Sequence, residues 1–456
     1  MPGACFSGSL NFLVLLIACL LLVAACKSPA HLSRSDKRSL DEKVTQSAVF
    51  EKGFSALHLI EAETGEEIYN LRGAKHFTPA SNIKILTLYT ALKTFGDSIP
   101  LFHHATAGDT TIIYPAGGPT LFNPFFPKEE EAEQKLLELL SGGAVGIAEV
   151  HFDGKRFGPG WAWDGYPHNY QTERSAFPLY GNRVEFVFLP GEKDPLISPE
   201  FIKSRVPFKK PNEEFAKGVM TWREEKSNDF YYYSDGSNMD TVRRYVPMIK
   251  DSGTILEILR SKGGADLFFM DEEGPAVEEK HTIYSNFPDS IYRRMMWQSD
   301  NFLAEQLLIA VAGEVSDSLD AQLAIDYALD NFFSEVPDII NWYDGSGLSR
   351  YNLISPRTLT HILHQLLEQY GMDRIEDLFP AGGRSGTIQN RYAGDGSPFV
   401  FAKTGTLRNH HSLSGYLRAE SGKVYIFSFM HSNFPGSSIP HREEMERILH
   451  FLYRAL

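Results

Sequence analysis

The stretch Thr78-Pro79-Ala80-Ser81-Asn82-Ile83-Lys84, followed by Ile85, Leu86, Leu88, Tyr89, Leu92 and Phe95, constrains the fold more than any other. Pro79 restricts the residue before it and tolerates a first helical turn, so it predicts a helix entry. The apolar residues after it recur as one face of a buried helix, which predicts a helix ending near Gly96. Other elements must wrap around such a helix. On it, Ser81 and Lys84 stand three apart and share one side of the first turn. One reading of that pair is an N-cap serine with a surface lysine. The other is a nucleophile with its base, because a desolvated amine near other positive charge loses basicity and accepts the serine proton. Ser-x-x-Lys alone does not decide, since about two arise by chance in a chain of this length.

The chain has 456 residues, enough for two or three domains, and its 43% hydrophobic and 22% charged residues are those of a globular protein. A net charge of −14 without any Lys/Arg-rich run argues against nucleic acid or an anionic membrane surface as the main partner. Cys5, Cys19 and Cys26 all lie near the N-terminus, so the body has neither a disulfide framework nor a cysteine metal site. His103-His104 and His410-His411 are adjacent pairs, which rarely face one site; no metal and no cofactor are read from them.

Leu10 to Ala25 is apolar apart from Asn11, near the lower limit for a membrane span, and ends in small residues before Cys26. That order predicts an exported signal segment, 1–25, although no Lys or Arg precedes it and an uncleaved anchor is the alternative. Residues 26–46 read as a polar tether. Residues 47–98, with a hairpin from Phe54 to Leu71 and the Ser81 helix, and residues 290–456 read as two parts of one domain. Residues 99–289 differ in character, rich in Gly, Pro and aromatics with strand-like runs such as Val184 to Leu189, and read as a mostly β insertion. Within it Lys128 to Leu140 reads as an acidic helix, and Asp240 to Leu259 as a helix interrupted near Gly253. In the last part Phe302 to Ala312 and Thr358 to Gln369 read as helices, Phe399 to Gly405 as a strand, Leu413 to Phe429 as a hairpin, and the C-terminus as an amphipathic helix.

Three patterns occur once each and in order: Ser81-x-x-Lys84, Ser299-Asp300-Asn301 and Lys403-Thr404-Gly405. Lys-Thr-Gly alone is expected about 0.1 times by chance. Together they supply the parts of an acyl transfer. Ser81 attacks a carbonyl and Lys84 takes its proton. Ser299 relays a proton to the departing amine, and Asn301 holds a substrate amide. Lys403 offers positive charge to a terminal carboxylate and Thr404 a hydroxyl. Gly405 lets a substrate backbone lie along the strand. The backbone N–H groups of Ser81 and Thr406 form the oxyanion hole.

This set resembles that of penicillin-binding proteins and class A β-lactamases. Four stretches, Pro79 to Lys84, Ser299 to Glu305, Asp344 to Arg350 and Ala402 to Leu407, resemble one subgroup closely: low-molecular-mass class C penicillin-binding proteins of the D-alanyl-D-alanine carboxypeptidase/endopeptidase type. Gly158 to Asp164 resembles a segment of their inserted domain. The resemblance implies an α+β fold, a transpeptidase-like antiparallel sheet flanked by helices and split by the insertion. It implies a serine DD-peptidase acting on peptidoglycan stem peptides through an acyl-enzyme on Ser81, with β-lactams as inhibitors. It implies that Asp164, near Trp161 and Trp163, receives the free amino end of a peptide side chain; a solvated loop aspartate is the alternative. Val23-Ala24-Ala25-Cys26 resembles a lipobox, implying lipidation of Cys26, membrane attachment and a periplasmic location. The turn Asp344 to Arg350 receives a structural role, as do Ser346 and Ser385. A β-lactamase or esterase on the same fold, or a catalytically silent wall-binding lipoprotein, are the rival readings.

Overall fold

The computed structural model describes residues 32–127, 129–152, 155–211, 217–264, 266–270 and 279–456. The expected signal segment, Cys26 and the start of the tether lie outside the described residues.

The rest of that tether needs correcting. Helix α1 spans Arg34–Thr45, and Ser33 Oγ caps it by accepting from Asp36 N at 3.1 Å. Leu40 and Val44, four apart on one face, are buried. Two apolar residues in a polar stretch suffice for a helix once a surface exists to receive them. Strands β1 (Phe54–Glu61) and β2 (Glu67–Leu71) form the expected hairpin. A 3-10 turn, Ala80–Ile83, then runs into α2 (Lys84–Phe95), which is buried except at Lys93 and Thr94.

Three further sheets follow. The strands are β3 (Ile99–Ala107), β4 (Thr110–Pro115), β5 (Ala144–Ala148), β6 (Arg183–Phe188), β7 (Leu196–Ser198), β8 (Val219–Arg223), β9 (Phe230–Ser234), β10 (Val242–Pro247), β11 (Asp266–Met270) and β12 (His281–Ser285). They pair as β11-β5-β4-β3-β12, β10-β6-β7 and β8-β9, with helices α3 (Glu130–Ser141) and α4 (Ser252–Ser261). They share a core that includes Leu101, Val184, Phe186 and Ile258. Here the sequence reading of Asp240 to Leu259 as an interrupted helix fails in its first half, because Val242 to Pro247 is strand β10, paired with β6. Arg243 Nη1 and Tyr245 OH both reach Glu185 Oε1, at 2.6 and 3.0 Å, and residues two apart share a partner only in extended chain.

The remaining elements are α5 (Pro288–Trp297), α6 (Asn301–Val315), α7 (Ala321–Asn331), α8 (Pro356–Leu378), β13 (Val400–Leu407), β14 (His410–Arg418), β15 (Val424–Ser432) and α9 (Ile439–Ala455). One antiparallel sheet runs β13-β14-β15-β1-β2. Ala56 and Ile60 of β1 join the core made with α2, α6 and α8. Leu57 and Leu59, on the other face, pack with α1 and α9 through Leu40, Val44, Met445 and Leu449. Cover on both faces explains why β1 is buried almost throughout, Ser55, His58 and Glu61 included, rather than alternating.

Strand β13 lies at the sheet edge. Ala402 N donates to Pro380 O at 3.0 Å, so the outer edge is covered that far. Among the described residues no strand pairs with that edge from Lys403 to Leu407. Outward-facing backbone groups alternate along a strand, so those of Thr404 and Thr406 point outward as those of Ala402 do.

Candidate active site

The site is assembled where α2 begins, α6 begins and β13 runs free. Lys84 is 0% exposed. Its Nζ lies 3.1 Å from Ser81 Oγ, 2.6 Å from Asn301 Oδ1 and 2.6 Å from the Ser346 carbonyl. Asn301 Nδ2 donates to Tyr170 O at 2.8 Å, which fixes Oδ1 as the atom facing the lysine. Burial lowers the Lys84 pKa to about 8, against the pull of Asp344, Glu305 and Asp300. A neutral amine has two hydrogens and one lone pair. Two of its partners are pure acceptors, so the lone pair is left for the Ser81 hydroxyl, the one partner with a proton to give.

Lys403, also 0% exposed, donates from Nζ to Ser299 Oγ and to Thr404 O, both at 2.9 Å. Burial, with Lys84 nearby, holds its pKa well below the ordinary lysine range. Ser81 and Ser299, with Thr404 and Thr406, border a cleft of about 500 Å³ whose far wall is 386–392. Three non-glycine residues here have left-handed backbone, Ala80 (φ 49°) before the serine, Ser299 (φ 54°) and Tyr392 (φ 55°) on the far wall. Strain of this kind persists only where the surroundings over-determine it.

The structure thus brings Ser81, Lys84, Ser299, Asn301 and Lys403 together. Thr404 Oγ1 is bonded to Thr387 Oγ1 at 2.8 Å. Gly405 has another demand on it than the one expected from sequence: a Cβ there would lie 2.2 Å from Pro79 O, so the strand packs directly on the turn that carries Ser81. Asp164 is exposed, as is Trp163 at 76%, whereas Trp161 Nε1 donates to Asp344 Oδ2 at 2.8 Å.

Four further contributors lie inside stretches singled out from the sequence, which gave none of them a part in the chemistry. The Ser346 carbonyl holds Lys84, so the turn Asp344 to Arg350, expected to be structural only, also takes part in orienting the amine. Buried Asp344 organises that turn by accepting from Gly347 N and Ser349 N at 2.9 and 2.7 Å. Buried Glu305 accepts from Ser346 N at 2.8 Å and pairs with Arg174. Asp300 caps α6 through Leu303 N and pairs with Arg183 at 3.0 Å and Arg294 at 3.3 Å. Burial pushes the Asp300 carboxyl up, and the two arginines outweigh it and hold it below its usual range.

A profile of the D-Ala-D-Ala carboxypeptidase 3 (S13) family matches residues 37–108 and 288–453, more than half of the chain. A D-alanyl-D-alanine carboxypeptidase of Actinomadura sp. (strain R39) is 24% identical over 443 residues, covering 87% of this chain and 80% of that protein. One from Haemophilus influenzae is 32% identical over 148 residues, 31% of this chain and 30% of that one. In fold, penicillin-binding protein 4 of Haemophilus influenzae aligns with a TM-score of 0.66 at 19% identity, over 92% of this chain and 99% of that one. The α+β architecture expected from the motifs is therefore that of a penicillin-binding protein, and the chain belongs to the D-Ala-D-Ala carboxypeptidase 3 (S13) family.

Proposed function

We propose that this chain is a serine DD-peptidase that cleaves D-alanyl-D-alanine ends or D-centred crosslinks of peptidoglycan stem peptides. Ser81 Oγ bonds to the scissile carbonyl carbon while its proton passes to Lys84. The backbone N–H groups of Ser81 and Thr406 receive the oxyanion. Collapse breaks the C–N bond, and the departing amine takes its proton through Ser299. Asn301 presents its amide to the acyl half, and Lys403 holds Ser299 and the strand edge. Water then hydrolyses the acyl-enzyme. One observation carries this reading: the buried Lys84 amine has two pure acceptors as partners and Ser81 as its only proton source.

Ser81→Ala is expected to abolish both penicillin labelling and D-alanine release in a folded protein. Labelling that persists in this variant places the nucleophile elsewhere. The catalytic unit is residues 47–98 with 290–456, interrupted by 99–289. Among the described residues no helix is long and apolar enough to cross a membrane. Attachment is proposed through lipidation of Cys26 after export, on the periplasmic side, a reading supported by the order Val23-Ala24-Ala25-Cys26 after an apolar run. Normal lipid labelling of Cys26→Ala would rule this out.

A further inference from the structure

Strand β14 turns the adjacent pair His410-His411 to opposite faces of the sheet. His410 is half-buried and meets Ser432 Oγ at 3.1 Å. His411 is 1% exposed and borders the catalytic cleft. It stands directly opposite Thr406 of β13, whose Oγ1 lies 2.9 Å from His411 Nδ1. On its other side it faces His431 of β15. His431 in turn faces Ser55 of β1, and its Nδ1 is bonded to Ser55 Oγ at 2.7 Å. Thr406, His411, His431 and Ser55 thus form one polar row across four strands, on the face where Leu57, Leu413 and Phe429 pack against α9. His441 of α9 lies over the row, its ring centroid 5.2 Å from that of His431. Polar groups buried on an apolar face cost stability, so the row calls for a reason.

Thr406 supplies one. Its main-chain groups point away from β14, so the neighbouring strand does not bond them. The hold on this residue comes from its side chain. A guanidinium only donates, and Arg442 Nη2 gives a hydrogen bond to Thr406 Oγ1 at 3.2 Å. The hydroxyl keeps a proton of its own, and among the described residues His411 Nδ1 is the acceptor in reach. Burial, then Arg442 and His441 of α9 and Arg391 of the far wall, lower the His411 pKa to about 3. His431, opposite on β15, is held well below the ordinary histidine range by burial as well. The His411 ring is therefore neutral, with a lone pair to offer.

We propose that His411 is a positioning residue for the reaction: its Nδ1 accepts the Thr406 hydroxyl proton and thereby fixes the backbone N–H of Thr406, the proposed oxyanion donor. This rests on the DD-peptidase reading. His411 does not touch the substrate and acts through Thr406. A donor aimed at the oxyanion strengthens its bond only as charge develops on that oxygen. Loss of the His411 acceptor therefore slows acylation and spares the binding that precedes it.

The test follows acylation by a penicillin, as a rate constant and as the dissociation constant of the complex that precedes it. His411→Leu is expected to lower the rate constant by about 10- to 100-fold and to leave the dissociation constant within about threefold. His411→Asn keeps an acceptor near the place of Nδ1 but fills the space less well than leucine, and should stay within about fivefold of the wild type. A packing role alone would rank the two variants the other way. In a Thr406→Val background, His411→Leu should slow acylation no further. An unchanged rate in His411→Leu, a weaker complex that accounts for the whole loss, asparagine as slow as leucine, or additive slowing in the double variant overturns the proposal. Nitrogen NMR of the wild-type protein checks it without a substitution. His411 Nδ1 should be the unprotonated nitrogen and Nε2 the one bearing hydrogen, and the reverse tautomer overturns the proposal. Wild-type protein that penicillin does not acylate removes the DD-peptidase reading itself. Wild-type protein that is acylated, with His411→Leu equally fast, removes only the part given to His411.

Discussion

Lys84 is a base only when it is free of its proton, which ties the reaction to pH. Burial brings its pKa to about 8, so the free amine dominates above that and the ammonium below. Acylation by a fluorescent penicillin should therefore fall about tenfold between pH 7 and pH 6 and level off above about pH 8. A flat rate across that range would count against Lys84 as the base. The stability effect has the same sign. The unfolded chain keeps this proton into the ordinary lysine range, whereas the folded one releases it near 8, so stability rises with pH between the two. Ser81, Lys84, Ser299, Asn301 and Lys403 were legible in the sequence because each belongs to a short pattern in which chemistry and spacing coincide. Ser346 was not, because it acts through a backbone carbonyl that any residue type supplies. Arg174 and Arg183 were not, because a single arginine reaching across more than a hundred residues leaves no period to read.

At the scale of elements, the turn after Trp342 serves as a backstop for the nucleophile. A Cβ on Gly347 would lie 1.9 Å from Ala80 O and 2.9 Å from Ser81 N, and the residue has φ +83°. Gly347→Ala must push the 3-10 turn that carries Ser81 and one expected oxyanion donor. Acylation should slow on the order of 100-fold or more. Stopped-flow acylation beside thermal melting reads this, and an unchanged acylation rate would show that the turn does not hold the nucleophile. The elements themselves were readable in proportion to their periodicity. Helix α2 has a full apolar face, and the hairpins have turn residues in place. Helix α1 rests on Leu40 and Val44 alone, and β10 mixes arginine with apolar residues so that periods of 2 and 3.6 both fit.

At the scale of the whole molecule, the segment between α2 and α5 is fastened to the catalytic machinery by buried charge. Arg183 of β6 meets Asp300, the middle residue of Ser299-Asp300-Asn301, and Arg174 meets Glu305 one turn further on. The loop before Arg174 carries Asp164, whose neighbourhood touches Asn301 and Asp344 through Tyr170 and Trp161. Because Asp164 is exposed, its proposed pairing with a substrate amine is a surface contact. Asp164→Asn should lower kcat/KM for free-amine peptides about two- to fivefold more than for N-acetylated ones. Equal effects on the two peptides would make Asp164 a solvated loop residue. The free half of β13 has its own consequence. An uncovered strand edge is a template for any extended chain, and proteins ordinarily blunt such edges. Here residues 380–382 cap the first half and leave the second open. In the proposed function a substrate docking there would be the missing outer strand of the sheet, held by main-chain pairing before any side chain is read. Between turnovers the enzyme is thus an unfinished sheet, and whatever occupies that edge, substrate or inhibitor, should also protect it from self-association.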